Sequence, residues 1–194
     1  MALLSDQPSD LAARLGAALQ ERGHTLAVTE GATGGLLAHL LTQVPGSSAW
    51  FRAGLVAYTE YAKQLILRVS TETVEEHGSI SPEATVQMAR MARRLFGTDW
   101  GLAITGYADD SRPAPSVRAP GVPTRNPEGA PRIEAEQRPP TAGLTYVAIS
   151  GPGSHAQPEM HSWEEYELAA PDRAAYKQNA VLTAMETLLK IIAG

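Results

Sequence analysis

The chain has no cysteine among its 194 residues. That excludes a disulfide scaffold, a thiolate metal site and a thiol nucleophile. Lysine is scarce as well: of 16 cationic residues only Lys63, Lys177 and Lys190 are lysines, so a lysine at a chemically placed position stands out. An excess of positive charge is missing, the formal net charge being −5, so no basic field draws the chain to nucleic acid or to an anionic membrane. Met1–Asp10 lacks a basic flank followed by an apolar run, and no stretch approaches the length of a membrane span. The expectation is a soluble cytoplasmic protein. With 43% hydrophobic residues the chain is not wholly disordered, and its length suits one domain over 1–194, able to bury a full core.

Proline is plentiful but unevenly placed: eight of the 14 fall between Tyr107 and Ala142. In that stretch the only aliphatics larger than alanine are Val117, Val122 and Ile133, against five arginines and five acids. Proline removes donors and blocks helix, and so few apolar groups do not offset the ordering entropy. The segment reads as a long loop insertion at about 107–142, either inert or serving as a lid or partner-binding arm. Its balanced charge argues against a nucleic-acid arm.

The rest alternates helices and strands. Leu11, Leu15 and Leu19 recur every four residues after Ser9, which predicts a helix over 10–22 capped by Ser9 and stopped by Gly23. A buried strand is expected at 25–29, a glycine-rich turn at 31–35 and a helix at 36–42. A second strand is expected at 54–58, and short helices at 61–67 and 70–77. Ser81-Pro82-Glu83 is a strong helix start, with Gly97 the stop. Strands are expected at 100–105, 143–150 and 160–168, and a final helix from Pro171. This order predicts an α/β fold, a layered α-β-α domain with a mostly parallel or mixed central sheet.

Three segments carry candidate chemistry. Thr29-Glu-Gly-Ala-Thr-Gly-Gly35 lies between a strand and a helix, where backbone N–H groups and the helix terminus suit an anion and Thr33 adds a hydroxyl. It matches neither the dinucleotide nor the nucleoside-triphosphate fingerprint, and as a plain structural turn it needs no ligand. Pro45-Gly-Ser-Ser48 is followed by Tyr58 at a strand end and Lys63 near the start of the next helix. There the helix dipole disfavours the ammonium, and a lysine of lowered pKa serves as a base toward a hydroxyl. Taken alone, Lys63 reads as a solvated surface lysine and Tyr58 as a boundary aromatic. Ala103-Ile-Thr-Gly106 ends a strand at the sheet edge where ligands of open α/β sheets bind. The five histidines show no metal-ligand spacing, and the three tryptophans read as packing groups.

Together these segments resemble the CinA C-terminal domain family, the nicotinamide mononucleotide deamidases. Thr29–Gly35 stands where the family reads Ala-Glu-Ser-Cys-Thr-Gly-Gly. Pro45–Ser48, Gly54–Tyr58, Glu60-Tyr-Ala-Lys63, Glu75–Ser81, Ala103-Ile-Thr-Gly106 and Pro171-Asp-Arg173 are similar to its later motifs, in order. The resemblance implies a cytoplasmic, homodimeric α/β protein that hydrolyses the carboxamide of a pyridine mononucleotide to the acid and ammonia. It implies serine/lysine-type chemistry without metal or cofactor. Carried over by position, Ser48, Tyr58 and Lys63 take catalytic places, while Glu30, Thr33, Gly34, Gly35, Thr105 and Gly106 line the substrate side.

The chain departs from the pattern at three places. The Ser-Cys pair of the first motif is Gly31-Ala32, so hydroxyl and thiol are both gone. The family's nucleophile is either that serine or one in the Pro-Gly-Ser-Ser stretch. The Gly-Ile-Ala-Gly-Pro continuation after Thr-Gly is Gly106-Tyr-Ala-Asp-Asp110, which brings two acids toward a ligand phosphate. The proline-rich insertion follows directly. The expectation is either an amidohydrolase or a non-catalytic relative used for nucleotide binding, regulation or assembly. A third possibility is an interaction module built on the proline-rich arm.

Overall fold

A computed structural model describes residues 7–110, 141–153 and 159–193. Helix α1 (Gln7–Glu21) leads to β1 (Leu26–Glu30), a turn at 31–35 and α2 (Leu36–Thr42). A 3₁₀ turn at Ser47–Ala49 precedes β2 (Phe51–Val56). Helices α3 (Glu60–Leu67), α4 (Thr71–His77) and α5 (Pro82–Phe96) follow. The chain then forms β3 (Trp100–Gly106), β4 (Leu144–Pro152), β5 (Glu159–Glu167) and α6 (Arg173–Ala193). Most of the expected insertion, residues 111–140, lies outside the described residues. Among the described residues no helix is long and apolar enough to cross a membrane.

Local chemistry sets most boundaries. Ser81 Oγ accepts the Ala84 N–H at 3.2 Å, Pro82 opens α5, and Gly97 at φ 60° closes it. Ser70 and Thr59 cap α4 and α3 in the same way. Helix α1 begins at Gln7, so Ser9 lies inside the first turn and is not the cap; Pro8 tolerates that turn because no N–H is needed there. Strand β2 starts at Phe51, earlier than expected, because the start of β1 offers Leu26 as a partner, and it ends at Val56, leaving Tyr58 beyond it. Helix α6 starts at Arg173, after a carboxylate cap in which Asp172 Oδ1 accepts the Ala175 N–H at 2.8 Å.

The sheet order is β2-β1-β3-β4-β5. The first three strands are parallel, β4 runs antiparallel to β3, and β5 antiparallel to β4. The sheet is therefore mixed: a parallel trio extended by a hairpin. Helices cover both faces, which gives the α-β-α layering. On one face α1, α2 and α6 bury Leu15, Leu19, Leu37, Leu41 and Met185 against Val28, Leu102, Ile104 and Val147. On the other, α3, α4 and α5 pack Leu67, Val74 and Met88 over Ala57, Ala103 and Ala148. Trp50 and Trp100 are buried, while Trp163 on edge strand β5 is half exposed.

Small residues on the second face bring α5 close to the sheet. A Cβ at Gly101 would overlap the Ala89 carbonyl oxygen and lie 3.0 Å from Arg93 Cβ. By contrast, a Cβ at Gly31 meets only ordinary contacts, the nearest at 3.5 Å. Gly101→Ala is therefore expected to destabilise the fold by about 2–3 kcal/mol through forced separation of α5 and β3, lowering Tm by roughly 5–10 °C. Gly31→Ala is expected to stay close to wild type. Thermal unfolding followed by circular dichroism checks both.

Candidate functional site

Where β1, β2 and β3 end together, Glu30 closes β1 with its side chain fully buried. The carboxylate takes four donors. Oε2 accepts Thr33 Oγ1 at 2.7 Å, the Gly35 N–H at 2.9 Å and the Leu37 N–H at 3.1 Å. Oε1 accepts the Ala38 N–H at 2.9 Å. These are N-terminal donors of α2, so the negative charge meets the positive end of that helix. Glycines at 34 and 35, with φ of 65° and 99°, allow the chain to fold back far enough. The Gly34 and Leu36 N–H groups are bonded to the Gly31 and Thr33 carbonyls. Every N–H from 34 to 38 thus has a partner within the chain. The glycine-rich turn holds the protein's own carboxylate where the sequence suggested an external anion. Glu30, Thr33 and Gly35 act as one another's partners, which also answers how a buried charge is tolerated here.

Lys63 is not the solvated lysine its surroundings in sequence suggest. It is 3% exposed, and Nζ donates to the Ser79 carbonyl at 2.5 Å. Thr59 caps α3, so Lys63 lies in its first turns, where the dipole also opposes a cation. Burial pulls the amine down to about 8, with Glu60 opposing the shift. Beside it Gln64 is buried, and its Oε1 has no hydrogen-bond partner. A buried amine that titrates near neutrality is a competent general base.

Thr105, near the end of β3, is fully buried and shares a 2.7 Å hydrogen bond with Thr85 of α5, whose hydroxyl also reaches the Ser81 carbonyl at 2.6 Å. Gly106 is covered: a Cβ there would overlap the Tyr176 hydroxyl and the Leu144 carbonyl oxygen. Tyr176 in turn bonds Thr145 at 2.9 Å, and burial raises its pKa. Tyr58 is 60% exposed, and its hydroxyl accepts from Arg173 Nη2 at 3.4 Å. Arg173 is also ion-paired with Asp109, and Asp110 Oδ1 accepts the Ala142 N–H at 2.8 Å. The two acids that replace the family's glycine-rich continuation are therefore turned onto protein partners.

Ser48 stands apart from this group. It lies in the 3₁₀ turn that feeds Phe51, the residue paired with Leu26 at the opposite end of β1. Tyr58 and Lys63 follow Val56, paired with Glu30. Strand β2 lies between, about 20 Å of chain for six residues. Ser48 is exposed, and its carbonyl accepts from Arg52 at 2.8 Å. Within one chain the structure brings Tyr58, Lys63, Thr105 and the 31–35 turn to the same edge and leaves Ser48 on the other.

Several groups at this edge had no role in the sequence reading. Thr85 had no signal beyond its helix position. Arg173 lay in a noted motif, and Lys177 had only the scarcity of lysine to mark it.

Comparison with known proteins places this geometry in a family. The family model described as CinA C-terminal domain matches residues 8–120. A CinA-like protein of Synechococcus sp. is 41% identical over 142 residues, 73% of this chain and 28% of that protein. A CinA-like protein of Nostoc sp. is 30% identical over 182 residues, 92% of this chain and 38% of that protein. The chain thus spans well under half the length of these relatives. Among solved structures, a CinA superfamily protein from Escherichia coli superposes with a TM-score of 0.76 at 26% identity, covering 98% of this chain and 94% of that one. One from Klebsiella pneumoniae gives 0.75 at 27%, covering 96% and 98%. The chain belongs to the CinA family, which it matches through the C-terminal domain.

Proposed function

We propose that the protein binds a pyridine mononucleotide at the carboxyl edge of its parallel strands and does not hydrolyse it through a covalent intermediate. The observation that carries this reading is that Gly31, at the strand-end turn beside Thr105, has no side chain to attack with, although the same sheet edge carries the buried amine of Lys63. In serine/lysine amide hydrolysis the neutral amine takes the hydroxyl proton as the oxygen attacks the carboxamide carbon. The proton then passes to the departing ammonia, and water cleaves the resulting ester. Here three hydroxyls of this edge have partners within the chain. Thr33 donates to Glu30, Thr105 pairs with Thr85, and Tyr58 accepts from Arg173. Ser48 is too distant within the chain to replace them.

A second reading is direct attack by a water activated by Lys63. Retention of a buried lysine favours it, because burying the ammonium costs stability that a purely structural side chain would not.

Calorimetry with nicotinamide mononucleotide is expected to give saturable binding, and an ammonia assay is expected to show no turnover above a Lys63→Met control. Turnover that depends on Lys63 would establish the second reading, and absence of binding would refute the first. Gly31→Ser fits without steric conflict, since a Cβ there makes only ordinary contacts. That variant is expected to release ammonia, with a rate that rises with pH and levels off above about 8 as the Lys63 amine loses its proton.

The same lysine has a stability signature. Its folded pKa of about 8 lies below the ordinary 10.5, so the unfolded chain binds more protons between those values and stability rises with pH across that window. Below pH 8 the folded protein must carry a buried ammonium, at a cost on the order of 3 kcal/mol. Leaving the Ser79 carbonyl unpartnered returns about 1 kcal/mol of that. Lys63→Met is therefore expected to be more stable than wild type at pH 7, with the advantage shrinking between pH 8 and 10.5. Urea unfolding at both ends of the window measures the difference.

A further inference from the structure

Helices α3 and α6 bring Lys63, Arg173 and Lys177 to the carboxyl edge of the sheet. Two of these cations are engaged. Lys63 is buried onto the Ser79 carbonyl, and Arg173 pairs with Asp109 and reaches Tyr58. Lys177 differs. It is half-buried on α6, and its Nζ lies 3.3 Å from the place a Cβ would occupy on Gly34. Among the described residues it has no hydrogen-bond or ion-pair partner.

That leaves its ammonium open to an anion from outside the chain. Lys177 stands one turn into α6, beyond the Asp172 carboxylate that caps the helix and is itself taken by the Ala175 N–H. The glycine turn beneath it offers no counter-charge, because its one carboxylate, Glu30, is fully buried on the N-terminal donors of α2. With the Gly34 and Leu36 N–H groups on backbone carbonyls, no N–H from 34 to 38 is left for an outside anion. Any anion that enters this edge therefore meets Lys177 as its cation and the bare Gly34 backbone as its floor. A side chain at 34 would press on the ammonium.

We infer that Lys177 receives the phosphate monoester of the ligand, forming an anion subsite between α6 and the 31–35 turn that distinguishes a mononucleotide from its nucleoside. This rests on the mononucleotide reading above. Arg173 offsets the charge of Asp109, and Asp110 is turned onto the Ala142 N–H.

The test compares nicotinamide mononucleotide with nicotinamide riboside by calorimetry on wild type, Lys177→Gln and Lys177→Arg. A charge-assisted contact predicts a loss of about 10- to 100-fold for the mononucleotide in Lys177→Gln. The riboside is expected to be unaffected, and the preference to return in Lys177→Arg. Equal weakening of both ligands, or of neither, overturns the inference while leaving mononucleotide binding intact. If neither pyridine compound binds wild type, the functional reading fails and the subsite is judged separately. The chain has only three lysines, so selective 13C-lysine labelling gives a Cε spectrum that is readily assigned. Titration with inorganic phosphate should then move the Lys177 signal and leave Lys190 still. A stationary Lys177 signal overturns the subsite.

Discussion

The bond set around Glu30 is the constraint on which the site depends. A fully buried carboxylate is tolerated in a core only when its charge is answered, and here one hydroxyl and three backbone N–H groups answer it. The arrangement joins the end of the central strand to the start of the next helix. It sets the direction of α2, and so the burial of Leu37 and Leu41 against the first face of the sheet. It also closes the N-terminal donors of α2. Under the mononucleotide reading proposed above, recognition then falls to side chains delivered by helices from elsewhere in the chain.

Lys63 and Lys177 are placed differently. Lys63 is buried in the opening turns of α3, where both burial and the dipole oppose a cation, while Lys177 is half-buried one turn into α6, behind the Asp172 cap. Lys63 still ties α3 to the Ser79 carbonyl, whereas Lys177 makes no such bond among the described residues. Gly31 leaves space that a larger residue fits without conflict. The edge combines a buried amine at 63 with a strand-end turn that carries no side chain at 31.

Much of the fold was legible because its signals are local. Ser81-Pro82 and Gly97 delimit α5, and the span 36–42 is helical as read. The α/β alternation led to the layered mixed sheet. The errors arise where distant partners decide. Phe51 enters β2 because Leu26 lies beside it, a pairing no local propensity records. Ser48 and Lys63 looked like neighbours because they are close in sequence, but an extended strand between them sends them to opposite edges. Thr29–Gly35 looked like an anion cradle because its composition suits one. That Glu30 itself is the anion depends on backbone angles at Gly34 and Gly35. The burial of Lys63 was equally hidden, since it arises from the packing of α3 over the sheet and the position of Ser79.

The described ends of the β3–β4 connection have one further consequence. Tyr107 and Gly143 are tied by paired backbone bonds, Tyr107 N–H to the Leu144 carbonyl and Gly143 N–H to the Tyr107 carbonyl, both at 2.8 Å. Asp110 and Ala142 add a third tie at 2.8 Å. The antiparallel ladder is thus sealed before the chain departs at 111 and after it returns at 140. Beyond such a seal, each doubling of intervening length costs only about 0.6 kcal/mol in closure entropy. The carboxyl edge of the parallel strands is therefore a port at which the β3–β4 connection can change in length without disturbing strand register.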